Sequence, residues 1–309
     1  LASIRPRKSG KCLVDPRYLL WALRSPVIER RIAEINVQAA QANLSLEQVK
    51  DFEIPLIPIG EQAAVVEALD DVSSLIRRLE ALIAKKRDIK QGTMQELLTG
   101  RTRLPGFSGP VPRTKLGLVA RMGSGGTPPS STAKYYGGGI PWVSISDMTK
   151  SGKYISQTAV TLSEEGLAAS AARLYDAGVL LYAMYASLGE CSLAVGRVSS
   201  SQAILGISVT PALDREYLYY WLQYIKPQVK TLGQQGTQSN LNAGMVRDFD
   251  IPLPGLSEQQ EIAGVLTDVD AEIEALERRL ESIRAIKQGM MQELLTGRTR
   301  LPVAEEVSA

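Results

Sequence analysis

Apolar residues recur at alternating steps of four and three along two stretches of the chain. In the later stretch they are Ile262, Leu266, Val269, Ile273, Leu276, Leu280 and Ile283, continuing through Lys287 to Met290 and Leu294. In the earlier one they are Val65, Leu69, Val72, Ile76, Leu79 and Ile83, followed by Lys86, Lys90, Thr93 and Leu97. This is the heptad seam of a helix that packs along its length against another helix. Gly100 and Gly297 stand where C-terminal glycine caps belong, and Ser257 with Gln260 has the spacing of a capping box. Each helix is expected to run about 36 to 38 residues, or roughly 55 Å at 1.5 Å per residue. Two such helices in one chain most economically cover each other's seams, which makes an intramolecular coiled coil of fixed length. Lysines at seam positions weaken the pair and fix its register.

The two stretches are copies. KQGTMQELLTGRTRLP from Lys90 and KQGMMQELLTGRTRLP from Lys287 differ at one position across an offset of 197 residues, and upstream DFEIPL matches DFDIPL and EQ matches EQ in the same register. Further upstream, DPRYLLWAL from Asp15 resembles DREYLYYWL from Asp214 at an offset of 199. The chain is a partial tandem duplication. That argues against a plain dimerisation coil, because each helix already has an internal partner.

Between the helices the texture changes. GIPWVSIS from Gly139, VLLYAMY from Val179 and LAVGRV from Leu193 alternate as strands do, and GSGGTPPSS and YGGG are turn signals. EYLYYWLQYIKPQVKTL from Glu216 reads as a helix. The expectation is an α+β fold, with globular domains joined by two long helices packed as an intramolecular coiled coil. The expected divisions are a domain remnant at 1–58, a first long helix at 59–100, a complete domain at 101–254, a second long helix at 255–298 and a tail at 299–309.

Composition narrows the chemistry. There is no histidine among the 309 residues, which removes the commonest general base and every Ser-His-Asp triad. GSGGTPPSS lacks the lysine of a P-loop and the strand-to-helix context of a dinucleotide site, so it reads as a turn. No cofactor and no metal is expected. Cys12 and Cys191 are too few for a disulfide framework and read as small core residues. No apolar run is long enough to span a membrane and no secretory signal is evident, so a cytoplasmic protein is expected. The net charge of +2 decides nothing alone. Residues 1–50 hold nine basic against four acidic side chains, an excess that fits either a phosphate-facing surface or an ordinary solvated one.

The order of KLGLVARMGSGGTPPSSTAKYYGGGIPWVSISDM from Lys115, TLSEEGL from Thr161, IPLPGLSEQQEIAGVL from Ile251 and the terminal KQGMMQELLTGRTRLP resembles the specificity (S) subunit of type I restriction–modification systems across essentially the whole chain. The resemblance implies two target-recognition domains, each followed by a long helix, with the helices antiparallel as a spacer. It implies a non-catalytic reader of part of a bipartite site in double-stranded DNA that docks methyltransferase subunits and, through them, restriction subunits. The spacer residues would be Leu69, Val72, Ile76, Leu79 and Ile83 against Leu266, Val269, Ile273, Leu276, Leu280 and Ile283. The start departs from the family pattern: LASIRP aligns best with LGISVTP from Leu205, so the first part of the first recognition domain is expected to be absent. Self-association is one expected consequence. A coiled-coil scaffold without DNA reading is the alternative, and a methyltransferase-type enzyme a remote one.

Base reading needs amide, hydroxyl and guanidinium groups on rigidly held loops, whereas phosphate contacts need Lys, Arg and small polar donors. Lys134, Tyr135 and Tyr136 precede a glycine turn. Ser144, Ser146, Lys150, Lys153 and Tyr154 follow a strand, and Tyr182, Tyr185 and Ser187 lie on a Gly-terminated segment. Gln235, Gln238, Asn240 and Asn242 belong to the uncharged tract GQQGTQSNLN. For the tyrosines the competing expectation is burial in the core, and for the lysines simple solvation. Trp142 and Trp221 are expected in the core.

Overall fold

The structure, a computed structural model, describes residue 4 and residues 13–37, 44–235 and 240–302, the side chains of 37 and 232–235 excepted. Cys12 and Gln238 lie outside the described residues, as does the side chain of Gln235. The chain divides into two compact units, one built from residues up to 86 and from 272 onward, the other from 87–271.

The first unit begins with α1 (Pro16–Leu23), α2 (Pro26–Val37) and α3 (Leu46–Lys50). Pro16 at the first helical position and Asp15, whose carboxylate accepts from the Arg17 N–H, start α1 in the way expected of a capped helix. Helix α4 (Ile59–Leu98) gives its first part to this unit. Tyr18, Trp21 and Ala22 of α1 bury against Val65, Val66 and Leu69 of α4 and against Met291, Leu294 and Leu295.

In the second unit α4 ends at a left-handed glycine, Gly100, and the chain continues through β1 (Arg113–Lys115), α5 (Leu116–Val119), β2 (Ala120–Ser124), β3 (Tyr136–Val143), α6 (Ile145–Ser151), β4 (Tyr154–Ile155) and β5 (Val160–Leu162). Then come α7 (Glu164–Ala168), β6 (Leu180–Ala183), β7 (Cys191–Ala194), β8 (Ser199–Ser200), β9 (Ile204–Val209), α8 (Arg215–Gln235), α9 (Ala243–Arg247) and β10 (Asp250–Pro252). A five-stranded sheet in the order β2-β9-β6-β7-β4, a three-stranded sheet β5-β3-β8 and the pair β1-β10 make up the β structure. Helix α10 (Leu256–Leu294) starts in this unit and ends in the first.

The α+β expectation holds, and the two long helices pack antiparallel. In the first unit Lys86 pairs with Glu272 at 2.7 Å and Arg284 with Glu80 at 2.6 Å; in the second Lys90 pairs with Asp270 at 2.5 Å. Leu69, Leu79, Ile83, Leu266, Ile273 and Leu280 are buried, and Val72, Ile76, Val269, Leu276 and Ile283 are half-buried. Lys86 and Lys90 of the seam are matched by acids of the opposite helix, which offsets their cost there.

Three local readings are corrected. Helix α10 begins at Leu256, with the Gly255 carbonyl accepting from the Gln259 N–H, so Ser257 is its second residue rather than its cap. Strand β3 ends at Val143, and Ser144–Ser146 do not continue it. The Ser144 hydroxyl accepts from the Asp147 N–H and the Asp147 carboxylate accepts from the Ser144 N–H, a capping box that starts α6 and overrides the alternating pattern. LAVGRV is strand only to Ala194, because Val195 and Gly196 turn outward.

Candidate nucleic-acid interface

One end of the five-stranded sheet gathers loops that are far apart in sequence. The Met184 N–H donates to the Ala203 carbonyl (2.9 Å), which ties the end of β6 to the start of β9. The Leu241 N–H donates to the Met184 carbonyl (3.0 Å) and brings the Asn240–Asn242 tract to the same place. Gly125 and Gly126 donate to the Ile204 and Ser200 carbonyls (3.1 and 2.9 Å), and the Ser201 N–H donates to the Val143 carbonyl (3.0 Å), beside the start of α6. Both glycines are required here, since a Cβ would strike the Ser200 carbonyl at Gly125 and the Ala171–Ala172 backbone at Gly126.

The loop Tyr185–Glu190 stands at this end. Tyr185 and Ala186 are exposed, and Ala186 is the sole non-glycine with positive φ (53°) among the described residues. Its base is fixed: the Gly189 N–H donates to the Ala183 carbonyl (3.1 Å), the Glu190 N–H to the Ser187 carbonyl (3.0 Å), and Lys226 pairs with Glu190 at 2.7 Å. Asn240 is exposed, and Asn242 caps α9 by accepting from the Met245 N–H (3.0 Å). The result is a polar, uncharged surface of amide and hydroxyl groups on a held scaffold, the chemistry that reads base edges.

Other candidates lie around it. Ser144 is occupied by the capping box, whereas Ser146 and Lys150 are exposed on α6. Burial opposes ionisation of Asp147, but bonds from the Ser144 hydroxyl and from the Ser144 and Ala159 N–H groups hold its carboxyl below the usual range. The Tyr136 hydroxyl donates to the Pro128 carbonyl (2.7 Å) and anchors the Gly125–Pro129 turn. Lys134 is exposed, paired with Glu165 at 2.9 Å and set 5.8 Å from the Tyr135 ring centre; the hydrogen bond from Lys134 to Glu165 raises the lysine pKa. A pair so exposed is weak and leaves Lys134 available to a phosphate.

Three sequence candidates are not surface groups of this kind. Tyr182 is fully buried on β6, where it meets Phe249 edge to face, and burial raises its pKa. Lys153 is enclosed: its ammonium pairs with Glu216 at 2.7 Å, donates to the Tyr220 hydroxyl (2.9 Å) and Thr267 hydroxyl (3.2 Å), and lies 4.5 Å from the Tyr220 ring centre. Tyr154 is half-exposed but donates to the Glu216 carboxylate (2.9 Å), and burial with this bond pushes its hydroxyl up to about 12. Lys153 and Tyr154 join strand β4 to α8 and α10. Alternating pattern alone does not separate Tyr182 from Tyr185, because the strand ends between them.

Sequence reasoning missed Arg173. It is exposed, and a Cβ at Gly123 on edge strand β2 would come 3.0 Å from its guanidinium, which places a cation beside the loop cluster. It stands alone in the sequence, so no local signal marks it. Trp221 is buried, and Trp142, half-buried, donates to the Gly126 carbonyl (3.0 Å). Cys191 is buried, and burial pushes its thiol up to about 12. Among the described residues no group of His, Cys, Asp or Glu could hold a metal, and no helix is long and apolar enough to cross a membrane.

Comparison with known proteins bears on this arrangement. Residues 113–285 match the family described as the type I restriction modification DNA specificity domain. The protein named as the type I restriction enzyme MjaX specificity subunit of Methanocaldococcus jannaschii is 28% identical over 97% of this chain and 71% of its own length. Among solved structures, a chain of the structure titled for complex assembly and conformational transition of the type I R-M system superposes with a TM-score of 0.62 at 20% identity, covering 93% of this chain and 72% of that one. The HsdS subunit from Thermoanaerobacter tengcongensis superposes with a TM-score of 0.55 at 22% identity, covering 93% and 71%. At these identities the structural likeness is one of fold. The family match spans more than half of the residues, and the chain belongs to the type I restriction–modification DNA specificity family.

Proposed function

We propose that this chain reads one part of a bipartite target in double-stranded DNA through the loop cluster of its second unit, and that it does so as a non-catalytic subunit. The observation that carries the reading is the convergence of Tyr185, Ser187, Asn240 and Asn242 at one end of the sheet, on backbone fixed by the Met184–Ala203 and Leu241–Met184 hydrogen bonds. Lys134, Lys150 and Arg173 supply phosphate contacts around it. Methyltransferase subunits dock on the same chain, restriction subunits join through them, and the paired helices α4 and α10 act as the spacer between half-sites. Self-association and a cytoplasmic location belong to the same reading, and no cofactor of its own is required.

The test is DNA affinity measured against salt, with duplexes of random sequence and with a selected target. A reader that neutralises several phosphates loses affinity steeply as salt rises, and retains a preference for its target throughout. A coiled-coil scaffold shows neither.

A further inference from the structure

The second unit shows what an edge of one particular kind binds. Strand β10 is covered by β1, antiparallel, with Thr114 opposite Ile251. The Leu253 N–H donates to the Pro112 carbonyl (2.8 Å) and the Leu116 N–H to the Phe249 carbonyl (2.9 Å). Pro252 stands opposite Arg113, at a position that donates nothing across an antiparallel pair with this alternation. Charge reinforces the pairing. Lys115 lies 3.0 Å from the Asp250 carboxylate and donates to the Asp248 carbonyl (2.9 Å), while Arg113 donates to the Asp250 carbonyl (2.9 Å).

The first unit carries the same edge, and no strand is paired with it among the described residues. Asp51-Phe-Glu-Ile-Pro-Leu repeats Asp248-Phe-Asp-Ile-Pro-Leu. The Tyr18 hydroxyl donates to the Pro55 carbonyl at 2.8 Å, as the Tyr217 hydroxyl does to the Pro252 carbonyl at 2.9 Å, so both edges are pinned alike. Asp51, Glu53 and Leu56 are exposed. The edge borders a cleft of about 390 Å³ that it shares with Ala22, Val27 and Leu295; the corresponding cleft of the second unit, about 330 Å³, has Arg113 of β1 in its wall.

We infer that residues 52–56 are a binding site for an extended polypeptide segment that carries a basic residue on each side of a β-branched one, the chemistry of Arg113-Thr114-Lys115. The Ile54 N–H and carbonyl, the Leu56 N–H and the Phe52 carbonyl supply the backbone ladder, and the carboxylates of Asp51 and Glu53 meet the basic side chains. This site is independent of DNA reading and does not rest on it.

A labelled peptide with the sequence of residues 110–117, PVPRTKLG, tests it on the full chain, beside the same peptide N-methylated at its leucine amide. The expected result is saturable binding, slowed hydrogen exchange at Ile54 and Leu56, and affinity about tenfold weaker for the methylated peptide, because one ladder donor is gone. Glu53→Lys is expected to weaken binding as well. Equal binding of the methylated peptide, no saturable binding, or protection that appears instead at Ile251 and Leu253, where the peptide would be replacing β1, overturns the inference. So does protection of Ile54 and Leu56 already present without peptide, whether in the single chain or only as its concentration rises, since the edge is then filled by the chain itself or by a second copy.

Discussion

Gln62 and Gln259 make the same three hydrogen bonds, one set in each unit. Gln62 accepts from the Asp15 N–H (2.8 Å) and donates to the Leu13 and Ile57 carbonyls (2.9 and 2.8 Å). Gln259 accepts from the Asp214 N–H (2.8 Å) and donates to the Ala212 and Pro254 carbonyls (3.0 and 2.8 Å). Both amides are fully buried, and each ties the segment before an aromatic helix to the start of a long one. Gln259→Leu leaves those backbone groups without partners and is expected to cost about 2–3 kcal/mol. Urea unfolding of the variant measures the loss; an unchanged midpoint contradicts the role.

The duplication also exchanges partners between copies. Arg103, after the first long helix, makes a two-pronged bond to Glu258 of the second (2.7 and 2.5 Å), and Arg300, after the second, does the same to Glu61 of the first (2.7 Å from Nε to Oε2). In the same way Lys90 lies 5.5 Å from the Tyr220 ring centre and Lys287 lies 4.8 Å from that of Trp21.

A pH dependence follows from the Arg300–Glu61 pair. The hydrogen bond from Arg300 holds the Glu61 carboxyl below its ordinary value against the opposing effect of burial. The folded chain therefore binds fewer protons there than the unfolded chain, so the pair stabilises the fold above the unfolded carboxylate value of about 4.3 and that stabilisation is lost as pH falls through the folded value. The difference in unfolding midpoint between the native chain and Glu61→Gln is expected to be full at pH 7 and to shrink below about pH 4. A difference that stays constant across this range contradicts the assignment.

Lys153 and Lys134 are expected to behave in opposite ways. Lys153→Met leaves Glu216 without its cation and is expected to destabilise the fold by about 2 kcal/mol, allowing for the part exposure of Glu216, with no change in the salt slope of DNA binding. Lys134→Ala or Arg173→Ala is expected to leave the midpoint unchanged and to lower that slope by about one. Thermal unfolding and salt titration of each variant separate the two.

Tyr182 and Tyr185 provide a second contrast. The Tyr182 hydroxyl is buried without a partner among the described residues, so Tyr182→Phe is expected to be neutral or to stabilise by up to about 1 kcal/mol. Tyr185→Ala, at the exposed loop tip, is expected to reduce discrimination between target and random DNA by roughly tenfold or more, with little change in stability. Competition binding with both variants checks the pair.

What was legible in the sequence was whatever repeats or has a period. The seam from Leu69 to Ile83 against Leu266 to Ile283 is a periodic pattern, and the 197-residue offset makes Glu61, Gln62 and Arg103 equivalent to Glu258, Gln259 and Arg300. The recognition surface was legible only in part. Tyr185 and Asn240 stand together because the sheet topology joins the end of β6 to residue 241, a relation between distant segments that no local pattern carries. Lys153 reads like any exposed lysine after a strand until Tyr219, Tyr220 and Glu216 of α8 close around it.

The central claim is that the loop cluster of the second unit selects DNA sequence. Its most direct measurement is to assemble the chain with methyltransferase subunits and sequence the sites methylated, for the native chain and for Tyr185→Ala combined with Asn240→Ala. The account predicts a defined motif for the native chain, and a relaxed motif for the variant at otherwise intact assembly. An identical motif for both, or methylation without any motif, contradicts it.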